Sequence, residues 1–393
     1  ALDTLLAAGL LIEDGGDGYR FSHDLIRDVV EAKLGAARCS ALHGRIGVAL
    51  EHLFPGLQAA RAGEEVPSPQ QVLAGKQDRE PPVPAPAPPV ELLAYHFARS
   101  DDAESANVYL ERAAESAQAR FAVSAAEDYF RRLVGNLDRL GHRRRSAAAR
   151  EKLGSLLTVK LRYEEALDVL GEAVQIYAAV GDAESQMRVT AQMGLVHARK
   201  RTPDDGIALL RPMLVLAESE PLLPHTAALY VALADLFFVA QKYGEGLVAA
   251  ERAAQLARQA GDQPALASAE IRRATALITL GHHDDGLRAL EAASPRVETV
   301  GDPTSLFNAF RSAGFMATSK DYLDRALEIA KALGDPAQLA FILALWRQHA
   351  FMAGDWERAR QYADQAVGLV RQVGEVAMAG QSLVGLGVLR ILA

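Results

Sequence analysis

The sequence has a single cysteine, Cys39, so no internal disulfide can form, and a reducing cytoplasm is its natural compartment. No apolar run approaches the ~18 residues that a membrane span needs, so no membrane association is expected. The first residues, Ala1-Leu2-Asp3, lack the charged and apolar regions of a signal peptide. They also lack an initiator Met, so the sequence reads as cut or processed from a longer protein. Positive charge is scarce: the formal net charge is −8, against the clustered Lys and Arg that phosphate contacts require. Direct nucleic-acid binding is therefore not expected. Two basic clusters, Arg143-Arg144-Arg145 and Arg199-Lys200-Arg201, fall near expected helix ends and read as solvated charges favourable to the helix dipole.

Catalytic and cofactor motifs are missing too. No phosphate-binding Gly-x-x-x-x-Gly-Lys-Ser/Thr run and no His-Glu-x-x-His zinc motif occurs, and Val384-Gly385-Leu386-Gly387 lacks the third glycine of a dinucleotide fingerprint. His282-His283-Asp284-Asp285 carries metal-ligating types but falls in an expected helix–helix turn, where solvation is the plainer reading. Expected catalytic residues, resident metal and resident cofactor are all none, and the chain is expected not to be an enzyme.

What is present is helix-forming. Ala and Leu dominate, and both lose little side-chain entropy in a helix. Gly181-Asp182-Ala183, Gly261-Asp262-Gln263-Pro264, Gly301-Asp302-Pro303 and Gly334-Asp335-Pro336 are similar turns, with Gly suited to cap one helix and Asp to start the next. Two columns of small residues recur every 40 positions: Gly154, Gly194, Ala234, Ala274, Gly314, and Ala166, Gly206, Gly246, Gly286, Ala326. Gly and Ala together are about one residue in four, so ten small residues in ten places is well above chance. Antiparallel helices can approach closely only where the crossing residues lack bulk. A bulky residue follows the turn between the columns: Tyr163, Tyr243, His283, Leu323 and, later, Trp356. At 341–366 the first small position falls on Arg347, which breaks the pattern.

The run Leu153-Gly154 … Tyr163-Glu164-Glu165-Ala166-Leu167 … Leu170 … Ala173 resembles the tetratricopeptide repeat. The 40-residue spacing is similar to the longer-helix repeats of maltose-regulator-type transcriptional activators, a group that includes LuxR-family proteins. The resemblance implies an all-α fold, a right-handed superhelical solenoid of helix hairpins over 91–393. Residues 55–90, which include Pro81-Pro82-Val83-Pro84-Ala85-Pro86-Ala87-Pro88-Pro89, are expected to be an extended, disordered Pro-rich linker of the polyproline kind. Residues 1–54 are expected to hold a short helix at 4–10, a β-hairpin from Leu10-Leu11-Ile12-Glu13 and Tyr19-Arg20-Phe21, and helices at 23–34 and 37–53. That order resembles the C-terminal part of a winged-helix domain.

The segment Tyr19-Arg20-Phe21-Ser22-His23-Asp24-Leu25 is similar to the one that follows the nucleotide-binding module in signal-transduction ATPases with numerous domains. In that family a Met-His-Asp motif sets its His against the ADP phosphate. The resemblance implies that role for His23, with ATP or ADP held by a module in cis before residue 1 and no cofactor in this stretch itself. It also implies that the chain is the sensor arm of a cytoplasmic regulator, a transcriptional one by analogy. Residues that flank the first small column should line the groove of such an array and receive a protein, peptide or small effector. They are Glu151, Ser155, Thr158, Arg188, Leu195, Asp235, Phe238, Thr275, Arg311 and Phe315. The alternative is a passive scaffold that docks another protein with no nucleotide switch.

Overall fold

The computed structural model describes residues 2–13, 19–22, 29, 33–53, 90–120, 122–219, 225–300, 303–316, 319–334 and 336–373. His23 and most of the helix expected at 23–34, the Pro-rich stretch 81–89, Gly301-Asp302 and Val384-Gly385-Leu386-Gly387 lie outside the described residues. By its contacts the chain divides into two compact units, Ala1–Lys160 and Leu161–Ala393.

The first unit opens with α1 (Leu2–Ala7) and a two-stranded antiparallel hairpin of β1 (Leu11–Glu13) and β2 (Tyr19–Phe21), in which Leu11 faces Phe21 and Glu13 faces Tyr19. Next come α2 (Ala36–Leu53), α3 (Val90–Phe97), α4 (Ala103–Ala119), α5 (Val123–Arg139) and α6 (Arg143–Val159). Helix α2 packs on α3 at Gly47, where a Cβ would stand 2.7 Å from the Phe97 ring. Phe97 stacks on Tyr109 with ring centroids 5.2 Å apart, and the Tyr109 hydroxyl donates to the Glu51 carboxylate at 2.6 Å. The three side chains are buried, so the hydrogen bond compensates two polar groups taken from water.

The second unit is helical throughout its described residues: α7 (Tyr163–Ala179), α8 (Ala183–Lys200), α9 (Pro203–Ser219), α10 (Thr226–Val239), α11 (Tyr243–Ala260), α12 (Gln263–Thr279), α13 (His283–Val300), α14 (Pro303–Met316), α15 (Lys320–Leu333), α16 (Pro336–Met352) and α17 (Trp356–Val373). Successive helices pack as antiparallel hairpins, and the chain has a tetratricopeptide-like helical-repeat fold.

All ten small-column residues are buried. A methyl group added at Gly286 would lie 2.6 Å from Ile278 Cγ1 and 2.8 Å from the Ile278 backbone nitrogen; at Gly314 it would meet Leu323 at 2.6 Å. Helices α12 and α13, and α14 and α15, therefore approach backbone to backbone, and glycine is what the approach requires. The turns also follow their chemistry. Asp182 and Asp262 accept hydrogen bonds from the backbone N–H of Ser185 and Ala265, at 3.1 and 2.9 Å, as does Asp102 from Ser105 at 3.0 Å. Gly261 and Gly334 close α11 and α15 with φ near +70° and +63°.

Ahead of α7, α9, α11 and α13 a left-handed residue repeats 40 positions apart: Leu161, Arg201, Gln241 and Gly281, with φ of 60°, 64°, 60° and 90°. Tyr163 opens α7, and Tyr243, His283 and Trp356 each open the second helix of a hairpin, whereas Leu323 lies inside α15, buried against Gly314. Arg347, in α16, carries a buried Nε with no partner where the other repeats have a small residue. Burial pushes its guanidinium below the usual arginine range.

Candidate functional site

The helical period brings one face of four first helices of the second unit, α8, α10, α12 and α14, to a common groove of about 870 Å³. Leu195, Ala198 and Arg199 reach it from α8, Val231, Asp235 and Phe238 from α10, Ser268, Arg272, Thr275 and Thr279 from α12, and Asn308, Arg311, Ser312, Phe315 and Met316 from α14. Arg201, Gln241 and Tyr243 add the rim from the hairpin turns. Each helix presents its residues at spacings of three and four, the repeat of one helical face.

Six of the ten positions expected to line a groove meet here: Leu195, Asp235, Phe238, Thr275, Arg311 and Phe315. Arg188 shares a helix face with Leu195 but stands seven residues earlier, about 10 Å along the axis at 1.5 Å per residue, and is not part of the lining. Glu151, Ser155 and Thr158 belong to α6 of the first unit. Thr158 is buried and its hydroxyl donates to the Gly154 carbonyl at 2.7 Å, so its expected place on a groove surface is corrected: it is a packing residue. Ser155 is half-buried and its hydroxyl donates to the Glu151 carbonyl at 3.1 Å.

The centre of the groove is a two-pronged ion pair. Arg272 Nε and Nη2 donate to Asp235 Oδ1 and Oδ2, both at 2.7 Å, while Nη1 donates to the Ser268 carbonyl at 2.9 Å. Parallel N–H···O bonds of this kind fix orientation as well as charge. Arg272 was not among the residues expected from sequence. Its clue is the distance of 37 residues from Asp235, close to one repeat, which sets the two on neighbouring first helices.

With that pair neutral, Arg199, Arg201 and Arg311 leave the groove positive, although the whole chain is acidic. Arg199 and Arg201 are exposed, in keeping with solvated helix-end charges, yet they border the opening. Arg311 is different. It is half-buried, lies over the Phe341 ring at 4.8 Å from its centroid, and forms no ion pair or hydrogen bond among the described residues. Burial pushes its guanidinium below the usual arginine range. Phe238, Phe315 and Met316 supply apolar wall beside these charges.

Elsewhere, His282, Asp284 and Asp285 are exposed at the turn into α13, and Asp285 pairs with Arg288. Among the described residues no three His, Cys, Asp or Glu side chains gather as a metal site would need, and no helix is long and apolar enough to cross a membrane.

No protein-family model matches the chain, and no curated protein matches it in sequence. Solved structures do match in shape. A Rap protein complexed with competence and sporulation factor superposes with a TM-score of 0.54 at 12 % identity, over 88 % of this chain and 100 % of that one. Aspartyl phosphate phosphatase F from Bacillus subtilis gives 0.54 at 12 %, over 91 % and 88 %. A signal-transduction ATPase with numerous domains that has a tetratricopeptide repeat sensor, from Pyrococcus horikoshii, gives 0.52 at 12 %, over 100 % of this chain and 55 % of that one. At this identity the likeness is one of fold: the chain is similar to tetratricopeptide-type helical-repeat proteins.

Proposed function

We propose that this chain is the sensor arm of a signal-transduction ATPase and holds a protein or peptide partner in the groove formed by α8, α10, α12 and α14. One observation carries the reading: four successive first helices present charged, hydroxyl and aromatic side chains to one open groove. Sites of this size and mixed polarity suit short peptides and effectors. Support comes from the Pyrococcus horikoshii protein, whose repeats are described as a sensor and whose fold matches along the whole of this chain.

In this reading a nucleotide-binding module in cis lies before residue 1 and binds ATP or ADP. The β1–β2 hairpin and α2 are the end of a winged-helix domain, and His23 meets the nucleotide phosphate. The output is regulatory, transcriptional by analogy with the maltose-regulator type, the setting is cytoplasmic, and the chain itself performs no catalysis. An effector can drive the switch only through different affinities for the closed and open states.

Two measurements test this. Thr275→Arg should fill the groove and abolish capture of peptides selected on the wild-type chain. In the full-length protein, a groove ligand should accelerate ADP release. A ligand that needs Thr275 yet leaves ADP release and its own affinity independent of nucleotide would reject the switch in favour of a passive scaffold.

A further inference from the structure

Two histidines meet where α2 rests on α3. His43 Nδ1 and His96 Nδ1 stand 2.9 Å apart, a hydrogen-bond distance between two atoms of one kind. Small residues on α2 let the helices come this near: a Cβ on Gly47 would strike the Phe97 ring, and one on Gly44 would touch Ser100 at 3.5 Å. A bond between two Nδ1 atoms needs one proton, carried by one ring and accepted by the other. A second proton removes the acceptor and sets two N–H groups and two positive charges against each other. Turning one ring over does not part the charges, because the ring centroids are 5.1 Å apart and His43 is buried. The conflict lies at the Nδ1 atoms and does not depend on what the Nε2 atoms meet.

The titratable and charged groups described around the pair come from three helices. On α2, Cys39 is one turn before His43 and Glu51 two turns after, while Arg45 and His52 are exposed. Glu51 accepts from the Tyr109 hydroxyl of α4, and Arg112 lies over the Tyr109 ring. On α3, Tyr95 meets both imidazoles edge to face, and Glu91 pairs with Arg120. Arg99 lies over the Tyr95 ring at 3.7 Å, a fixed positive charge that makes a second proton on the pair costlier.

We propose that the His43–His96 pair is an acid-released clasp. It holds α2 against α3 while the two rings share one proton, and lets α2 go when both are charged. Residues 54–89, which join α2 to α3, are numerous enough that the covalent link alone does not keep the helices together. Closed, the pair binds at most one proton; open, it binds two. The closed-to-open ratio is therefore steady above about pH 7, and below about pH 6.5, where free imidazoles take up protons, it falls towards tenfold per pH unit.

Hydrogen exchange of the full chain, corrected at each pH for the chemical rate, reads this opening. Between pH 7.5 and 5 the protection of α2 should fall tenfold or more, while that of α6 changes less than threefold. His96→Gln can give or take a hydrogen bond without charge and should hold the drop on α2 under threefold. His43→Gln should do the same from the other side, which keeps the test if one variant misfolds. Glu51→Gln should leave the acid response in place, because its carboxylate is not the trigger. Protection of α2 that merely follows α6 across the range would overturn the proposal. So would a drop that survives in both histidine variants, or one that vanishes in Glu51→Gln.

Discussion

Replacing one glycine by alanine should have opposite effects at two places in this chain. At Gly286 the added methyl would stand 2.6 Å from Ile278 Cγ1, 2.8 Å from Ile278 N and 3.1 Å from the Ala274 carbonyl oxygen. Two of these three atoms are backbone of α12, so no rotamer change can clear them and the α12–α13 hairpin must open. Overpacking of this kind costs about 1–3 kcal/mol, and the rigid neighbours argue for the upper end. Alanine recovers about 1 kcal/mol of helix propensity, which leaves a net loss of about 2 kcal/mol. At ~2–4 °C per kcal/mol for a unit of this size, Tm should fall by roughly 4–8 °C. Gly135, in α5, is exposed with nothing within 4 Å of a Cβ, so Gly135→Ala should gain about 0.5–1 kcal/mol from propensity alone. Urea titration followed by far-ultraviolet circular dichroism, together with thermal melts, gives both values. A Gly286→Ala protein as stable as the parent, or shifts of the same sign in both variants, would refute the close-approach argument.

Three further outcomes are expected. Asp262→Ala removes the cap of α12 and should lower stability by about 1 kcal/mol in the same titration. Leu161, exposed at φ 60°, should tolerate glycine with a gain of about 0.5–1 kcal/mol, because the left-handed backbone strains a side chain; a loss would show that the leucine packs. His197 titrates below its ordinary value, chiefly through burial and then through the charge of Lys200, so folding favours the neutral ring. Its unfolded form takes up a proton first as pH falls. The contribution is therefore constant above about pH 6.5, declines below it, and levels off once the folded pKa is passed. His197→Gln should flatten that part of the stability–pH curve, and an unchanged curve would count against the assignment.

The repeat was legible because close helix approach leaves a mark in composition: a Cβ at Gly206, Gly246 or Gly286 would stand under 3 Å from the facing helix, and small residues return at such places every 40 positions. The helix face that forms the groove was legible by the same period, which is why Asp235, Phe238, Thr275 and Arg311 meet. Period alone says nothing of how far along a helix the groove extends, so Arg188 falls outside it. Nor does it show which hydroxyl is spent on its own backbone, as Thr158 is. Charge pairing between helices was missed altogether, although it too has a period. Glu104–Arg145, Glu111–Lys152, Glu127–Lys160, Asp235–Arg272 and Glu291–Arg325 all join residues 33 to 41 apart. Opposite charges at that interval are the cue sequence reading should add. The final hairpin resisted because Arg347 occupies the small-residue position, and the column there continues only in its second member, with Ala359 buried.

The groove floor is made from rungs of a ladder rather than from one continuous wall. Under the proposed function a peptide lying from Leu195 to Phe315 would grip four rungs in turn, and each rung is tied mainly to its neighbours. Such a guest acts as a splint: it selects the rung spacing that suits it and resists any stretch or squeeze of the stack. A pull applied at either end of these helices would then be felt as a change in how tightly the guest is held, and the arriving guest would push back on whatever is attached there.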